Sequence, residues 1–357
     1  MFKPKFSPLS LFLCAFAFAL PVASWAANPY QSRNTHFGVS GSNVKDITSA
    51  FCCGGTLGSL LTDGTTKYVL SNNHILARQD KATVGENISQ PGLIDNGCQP
   101  ATIVADFTAA PKLRTNVDAA IAQLRDSLMD TSGFIEGIGT ISSVTKAPAV
   151  GLAVEKSGRT TGTTTGKISS TNTSVNVQYQ IRCGSGKKYI VSYTNQIVIN
   201  GSGFSAGGDS GSLIVSNTTS CHQPVGLLFA GSSTDTIANP IGQVLNKVGA
   251  ALGRSVSFVG GTCTSSPAQS AQSSGAEGLQ LPEQAVEDAG KVLEQHRYDL
   301  MSRPGVLGTG VGASDADAQQ AAIVVYVDKT AAVQPQLPTH VDGVPVKAHM
   351  TDPFVAF

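Results

Sequence analysis

Charge is scarce in this chain. Only 13% of its 357 residues are Asp, Glu, Lys or Arg, and 24 acids balance 24 bases. A protein that follows a phosphate backbone needs a basic face, so nothing here points to a nucleic-acid partner. Long apolar stretches are missing as well: the run at residues 9–20 falls short of the ~20 residues of a spanning helix, and no later segment reaches that length. The cysteines lack the paired short spacing of zinc ligands and no histidine cluster accompanies them, so no metal or cofactor site is read from the chain. What is abundant is Gly, Thr and Ser, a composition suited to short strands and many turns rather than charged amphipathic helices.

The N-terminus carries Lys3 and Lys5, then the apolar run, then small residues around Ser24-Trp25-Ala26. That order predicts a secretory signal cleaved after Ala26, a secreted or periplasmic protein, and no membrane span in the mature form. Cys14 lies inside the run and follows Leu13, so it is not read as a lipid-attachment site. The mature chain would hold 22 basic and 24 acidic residues. Its six cysteines are Cys52, Cys53, Cys98, Cys183, Cys221 and Cys263; an even count in an exported chain predicts disulfides, and all 15 pairings stay open.

Residues 27–262 form a series of short β-branched or apolar runs separated by Gly, Asn, Asp and Ser. Runs at 56–61 and 67–70 flank Asp63-Gly64, a hairpin signal, and further strands are expected at 174–181, 189–199, 212–215 and 225–229. This rhythm predicts a mainly β sandwich or barrel. Ile241, Val244, Leu245, Val248 and Leu252 share a helical face, predicting a closing helix. Residues 263–279 are Ser, Gln, Ala and Gly, the profile of a linker. Residues 280–357 then predict a small α+β module: a helix over 282–301 and strands near 305–311, 322–327 and 343–348.

Three segments carry candidate chemistry. Ser71-Asn72-Asn73-His74 puts a histidine at the end of a buried strand. Asn116-Val117-Asp118-Ala119-Ala120-Ile121 sets one acid in an apolar strand, where an unpaired carboxylate is costly and a partner is expected. Gly207-Gly208-Asp209-Ser210-Gly211-Ser212 lets the backbone turn sharply, exposing a serine and freeing N–H groups to point one way.

Taken together, these segments resemble the chymotrypsin-like serine peptidases. The order is His, Asp, Ser, with 44 residues from His74 to Asp118 and 92 from Asp118 to Ser210. Cys53-Gly54-Gly55-Thr56-Leu57 is similar to that family's strand leading to the histidine, and residues 225–231 to the strand after the serine that pairs with extended substrate. Residues 154–162 resemble a strand and turn of the second barrel in bacterial members.

The resemblance spans about residues 51–252 and implies two six-stranded antiparallel β-barrels of the chymotrypsin type, beside the small C-terminal module. It further implies Ser210 as nucleophile, His74 as general base, Asp118 orienting the base, and the N–H groups of Gly208 and Ser210 as oxyanion hole. The primary substrate pocket would have Phe204 and Ser205 at its base and Phe229, Ala230 and Gly231 along its wall. No acid lies at that base, which disfavours Lys or Arg and predicts small or apolar side chains in a protein or peptide substrate.

The chain departs from the pattern in three places. Asn72-Asn73 stands where many relatives carry small apolar residues, no cysteine follows His74 to complete the usual local disulfide, and no activation sequence precedes the first barrel, so Asp209 needs some other partner. Competing functions are a non-catalytic barrel-pair binding protein, or an esterase or amidase using the same three residues. The module has three competing roles: an interaction module with an unassigned partner, a cover over the substrate cleft, or a stabilising appendage. Gly162-Thr163-Thr164-Thr165-Gly166-Lys167 is one residue short of a phosphate loop and reads as a Thr-rich hairpin; Gly308-Thr309-Gly310-Val311-Gly312 reads as a Gly-rich strand; His222, His340 and His349 are assigned no ligand role.

Overall fold

The computed structural model describes residues 28–218, 221–263 and 280–357. The expected signal segment, residues 1–26, lies outside the described residues, as does the expected linker apart from Cys263. The first half of the chain forms β1 (Val39–Asn43), β2 (Gly55–Leu57), β3 (Ser59–Thr62), β4 (Lys67–Ser71), the single-turn helix α1 (Asn73–Leu76), β5 (Asn87–Gln90), β6 (Thr102–Ala109) and β7 (Ala120–Leu124). The β3–β4 hairpin expected at Asp63-Gly64 forms, although only Gly64 takes a positive φ; the Asp63 carboxylate instead accepts the N–H groups of Thr65 and Thr66 at 3.0 and 2.7 Å.

β2 and β3 are one strand kinked at Gly58. Leu57 pairs with Val39 of β1, while Ser59 pairs with Leu70 of β4. The kinked strand therefore appears at both ends of the ladder β3-β4-β7-β6-β5-β1-β2 and rolls it into a six-stranded barrel. Only glycine fits the kink, because a Cβ there would run into the Gly211 carbonyl. Inside pack Leu57, Leu60, Val69, Leu70, Ile88, Val104 and Ile121, none of them exposed.

The pair β8 (Phe134–Ile135) and β9 (Gly139–Thr140) leads into the second half: β10 (Ala153–Gly158), β11 (Gly162–Arg182), β12 (Ser185–Asn200), β13 (Leu213–Ser216), β14 (Pro224–Gly231) and β15 (Asp235–Pro240). The ladder β10-β13-β14-β15-β12-β11 is closed by pairing of β10 with β11, a second six-stranded ring. The expected helix is α2 (Ile241–Leu252), ended by Gly253 in the left-handed region at φ 77°, and β16 (Ser257–Phe258) returns to pair with β3.

The hairpin of β11 and β12 is far longer than expected, 21 and 16 residues, because its outer part is not left bare. The C-terminal module supplies α3 (Glu283–Met301), β17 (Val306–Ala313), β18 (Ala321–Asp328), β19 (His340–Val341), β20 (Val344–Thr351) and β21 (Phe354–Ala356). β17 pairs with β11 and β18 with β17, so the module continues the second barrel's sheet. The glycines of β17 permit this approach: a Cβ on Gly308 would lie 2.7 Å from the Ser174 carbonyl. Ala289, Leu293 and Leu300 of α3 cover the other face.

Three disulfides, Cys52–Cys98, Cys53–Cys183 and Cys221–Cys263, settle the open pairing. Cys53–Cys183 ties the first barrel to the tip of the long hairpin. The protein is thus mainly β, as expected, and none of its described helices is long and apolar enough to cross a membrane.

Candidate active site

His74 does not end its strand; it sits in α1, one turn beyond β4, and Asp118 lies in the loop before β7 rather than inside it. Asp118 is fully buried between Val117 and Ala119, which are buried too. Its Oδ2 accepts from His74 Nδ1 at 2.6 Å, and its Oδ1 accepts from the His74 backbone N–H at 3.1 Å. The acid therefore has the partner that its burial demanded.

Other residues build this pair that the motifs did not reveal. Tyr179, on β11, donates its hydroxyl to Asp118 Oδ2 at 2.8 Å, and Tyr193 on β12 meets Tyr179 at 2.7 Å. Asn239 Oδ1 accepts from the Asp118 N–H at 3.0 Å, and Asn72 Nδ2 donates to the Asp118 carbonyl at 2.7 Å. Asn73 Nδ2 donates to the carbonyl of Pro111 at 2.8 Å. The two asparagines that departed from the family pattern are thus pins for the loops around the acid. Two tyrosines, one on each strand of a long hairpin, give no sign in sequence that they serve a distant carboxylate.

Burial opposes charge on His74, but the Asp118 carboxylate and its hydrogen bond, joined by the Phe357 carbonyl and Asp46, outweigh that and raise the imidazole pKa. Burial first, then Asp118, pushes the Tyr179 phenol well above its ordinary range, so it stays a donor. Asp46 is lifted to about 6 by burial, against the pull of His74, Arg78 and Lys81.

Ser210 comes from the other barrel. Its turn has Gly208 at φ 98° and Gly211 at φ 94°, where other residues would be strained, and a Cβ on Gly208 would lie 2.7 Å from Arg159 Nη1. Thr56 holds the turn from the first barrel, its N–H on the Ser210 carbonyl at 2.7 Å and its hydroxyl on the Gly208 carbonyl at 3.0 Å. The N–H groups of Gly208 and Ser210 have no acceptor among the described residues.

Asp209 finds its partners chiefly in residues 154–162, the segment that resembles a strand and turn of the second barrel. Its carboxylate accepts the N–H of Thr160 at 2.8 Å, the N–H of Ala206 at 3.0 Å and the Thr161 hydroxyl at 2.7 Å, with buried Lys156 Nζ 3.7 Å away. Burial draws the Lys156 ammonium down to about 8, with Asp209 pulling the other way.

Phe204 and Ser205 lie beside β15, with the Ser205 hydroxyl 2.6 Å from that of Thr236. Phe204 packs in an apolar cluster with Ile168, Leu228 and Ala238; Phe229 and Ala230 are buried, and Gly231 ends β14. The Ser210 hydroxyl donates to the Phe229 carbonyl at 3.2 Å, and His74 Nε2 lies 2.9 Å from the carbonyl of Phe357. The Phe357 N–H also donates to the Phe229 carbonyl, at 3.4 Å, so Ser210 and Phe357 share that acceptor while His74 faces the Phe357 carbonyl, and no hydrogen bond joins Ser210 to His74.

No family model and no curated protein matches this chain. Solved structures similar to part of it are bacterial or otherwise described serine proteases. One is a glutamic acid-specific serine protease said to use a histidine triad in substrate binding, at 20% identity and TM-score 0.42, covering 62% of this chain and 98% of that one. Protease A of Thermobifida fusca has 17% identity and TM-score 0.42, covering 64% and 99%. A Nocardiopsis protease has 16% identity and TM-score 0.41, covering 63% and 98%.

Proposed function

We propose that this chain is an exported serine endopeptidase that cleaves peptide bonds through an acyl-enzyme, with His74, Asp118 and Ser210 as its triad. The observation that carries the reading is the fully buried Asp118, bonded to both the ring and the backbone of His74. A carboxylate shielded from solvent and bonded to both ring and backbone fixes the imidazole in one tautomer and orientation, which is what a general base needs.

In this reading Ser210 attacks the substrate carbonyl, His74 takes the hydroxyl proton and returns it to the leaving amine, and Asp118 fixes the ring with Nδ1–H toward itself. The free N–H groups of Gly208 and Ser210 receive the developing oxyanion, each worth about 3 kcal/mol in such sites. Tyr179 is a positioning residue, holding Asp118 rather than touching substrate. Three disulfides suit an oxidising compartment and support export.

The test is labelling and turnover by the purified mature protein. A fluorophosphonate should modify Ser210 stoichiometrically and abolish casein hydrolysis, while Ser210→Ala should take no label and lose activity on the order of 10⁶-fold. Stoichiometric labelling of Ser210→Ala would remove this serine from the role.

A further inference from the structure

We infer that residues 354–357 are the cleft's own ligand: a substrate-like peptide strand that presents an aromatic side chain to the primary pocket and holds down the activity of the intact chain. This deepens the peptidase reading and rests on it. The register carries the inference. β21 runs antiparallel to β14, with Ala356 opposite Ala230 and Val355 opposite Gly231, and the Phe357 N–H reaches the Phe229 carbonyl. Residues 229–231 are the stretch expected to bind extended substrate, and β-strand addition to such an edge supplies main-chain hydrogen bonds while side chains enter pockets.

The side chain of Phe357 fits that arrangement. It packs against the cluster of Phe204, Leu228 and Ala238, and its ring lies on Gly231 so closely that a Cβ there would come within 2.5 Å of Cζ. The pocket wall must therefore be glycine for a ring to enter. The carbonyl that follows the ring is the one 2.9 Å from His74 Nε2. That oxygen takes the nitrogen meant for the serine proton and leaves the N–H groups of Gly208 and Ser210 free, so the segment fills the cleft without lying as a reacting substrate, and its ring marks an aromatic residue as the class the pocket accepts. It sharpens the expectation of small or apolar side chains toward large flat ones.

The segment is also held from behind. Phe354 is fully buried among Val177, Tyr326 and Phe229, and β21 pairs in parallel with β11, so it is clasped between two strands of the second barrel. Just upstream, Thr351 Oγ1 donates to the buried Asp235 at 2.5 Å, His349 Nε2 lies 2.9 Å from the same carboxylate, and Lys329 reaches Asp352 at 3.0 Å. A tethered ligand acts at an effective concentration on the order of millimolar, enough to exclude dilute peptide from the cleft.

The experiment compares the intact chain with one lacking residues 355–357, which keeps the Phe354 anchor. The shortened chain should hydrolyse a Val-Ala-Phe anilide and take fluorophosphonate at least about tenfold faster, with a Val-Ala-Arg anilide cleaved much more slowly. Added peptide Phe-Val-Ala-Phe should inhibit it competitively. Should the shortened chain fail to fold by circular dichroism, Phe357→Ala keeps the backbone and removes the ring, and the same acceleration is expected in smaller measure. Equal labelling and turnover in intact and altered chains, with Ser210 modified in both, would overturn occupancy and leave the peptidase standing. If no form labels or turns over, the peptidase reading falls, and calorimetry decides the ligand separately: the shortened chain carrying Ser210→Ala should bind Phe-Val-Ala-Phe where the intact chain does not, and no binding by either sinks the inference.

Discussion

The two barrels contribute to one site by different means. The first provides His74 from α1 and Asp118 from a loop beside a sealed apolar core, and side chains hold the acid: Tyr179 on its carboxylate, Asn72 and Asn239 on its backbone carbonyl and N–H. The second provides Ser210 and the edge proposed to bind peptide, and there backbone does the holding, through glycines at positive φ and the carbonyl of Phe229. A proton-transfer pair needs a fixed, dry, fully satisfied environment, which only packed side chains supply. A peptide-binding edge must leave main-chain groups free, and free edges attract strands. The module exploits this difference, joining the second barrel at β11 and β14, and none of its described strands joins the first.

The contrast breaks most sharply at Asp118. Asp118→Asn, made in the chain shortened by residues 355–357, should lower kcat/KM by about 10⁴-fold, because the amide cannot enforce the Nδ1–H tautomer or offset the imidazolium. A loss below tenfold would mean that the buried pair is only structural. Next comes Tyr179→Phe, which removes one donor to the charged carboxylate and should cost about tenfold, in line with about 1.5 kcal/mol for a hydrogen bond to a charged group. Its acid limb should move to higher pH, since a less satisfied carboxylate attracts the His74 proton more strongly. An unchanged limb with a lowered melting midpoint would reduce Tyr179 to packing.

The same contrast governs what could be read from sequence. The proposed His74, Asp118 and Ser210 stand out by neighbours adjacent in the chain, glycines around a serine and an acid among aliphatics. α2 matched its expected bounds because five apolar residues share one face. Tyr179 and Asn239 were invisible, because their role exists only once β11 and β15 lie beside the loop of Asp118. The length of β11 was missed for a related reason: a strand whose outer part is covered by chain more than 120 residues later shows no local mark of that cover. Residues 354–357 were read only as the end of a module with three competing roles, since Phe-Val-Ala-Phe carries no signal until its register against β14 is known.

The finest prediction concerns pH and sets the two halves against each other. To meet the Phe357 carbonyl with a hydrogen, His74 Nε2 must be protonated while Nδ1–H points at Asp118, so occupancy of the cleft favours the imidazolium. The pKa of His74 is accordingly higher with the segment in place than with the cleft open. Occupancy thus gains a contribution that is fully present below the open-cleft pKa and is lost as pH rises through the occupied one. The rate ratio of shortened to intact chain should therefore be largest near pH 5.5 and shrink by a factor of about ten per unit of pKa difference toward pH 9. Asp118 and Tyr179 also face this imidazole, and Asp46, lifted by burial to about 6, acts on it by charge and titrates inside the window. Repeating the profile with Asp46→Asn in both chains separates its titration, and the decline in the ratio should survive. A ratio that is flat, or that grows with pH, would show that the segment is held by its strand pairing and its ring alone, with no help from the histidine's proton.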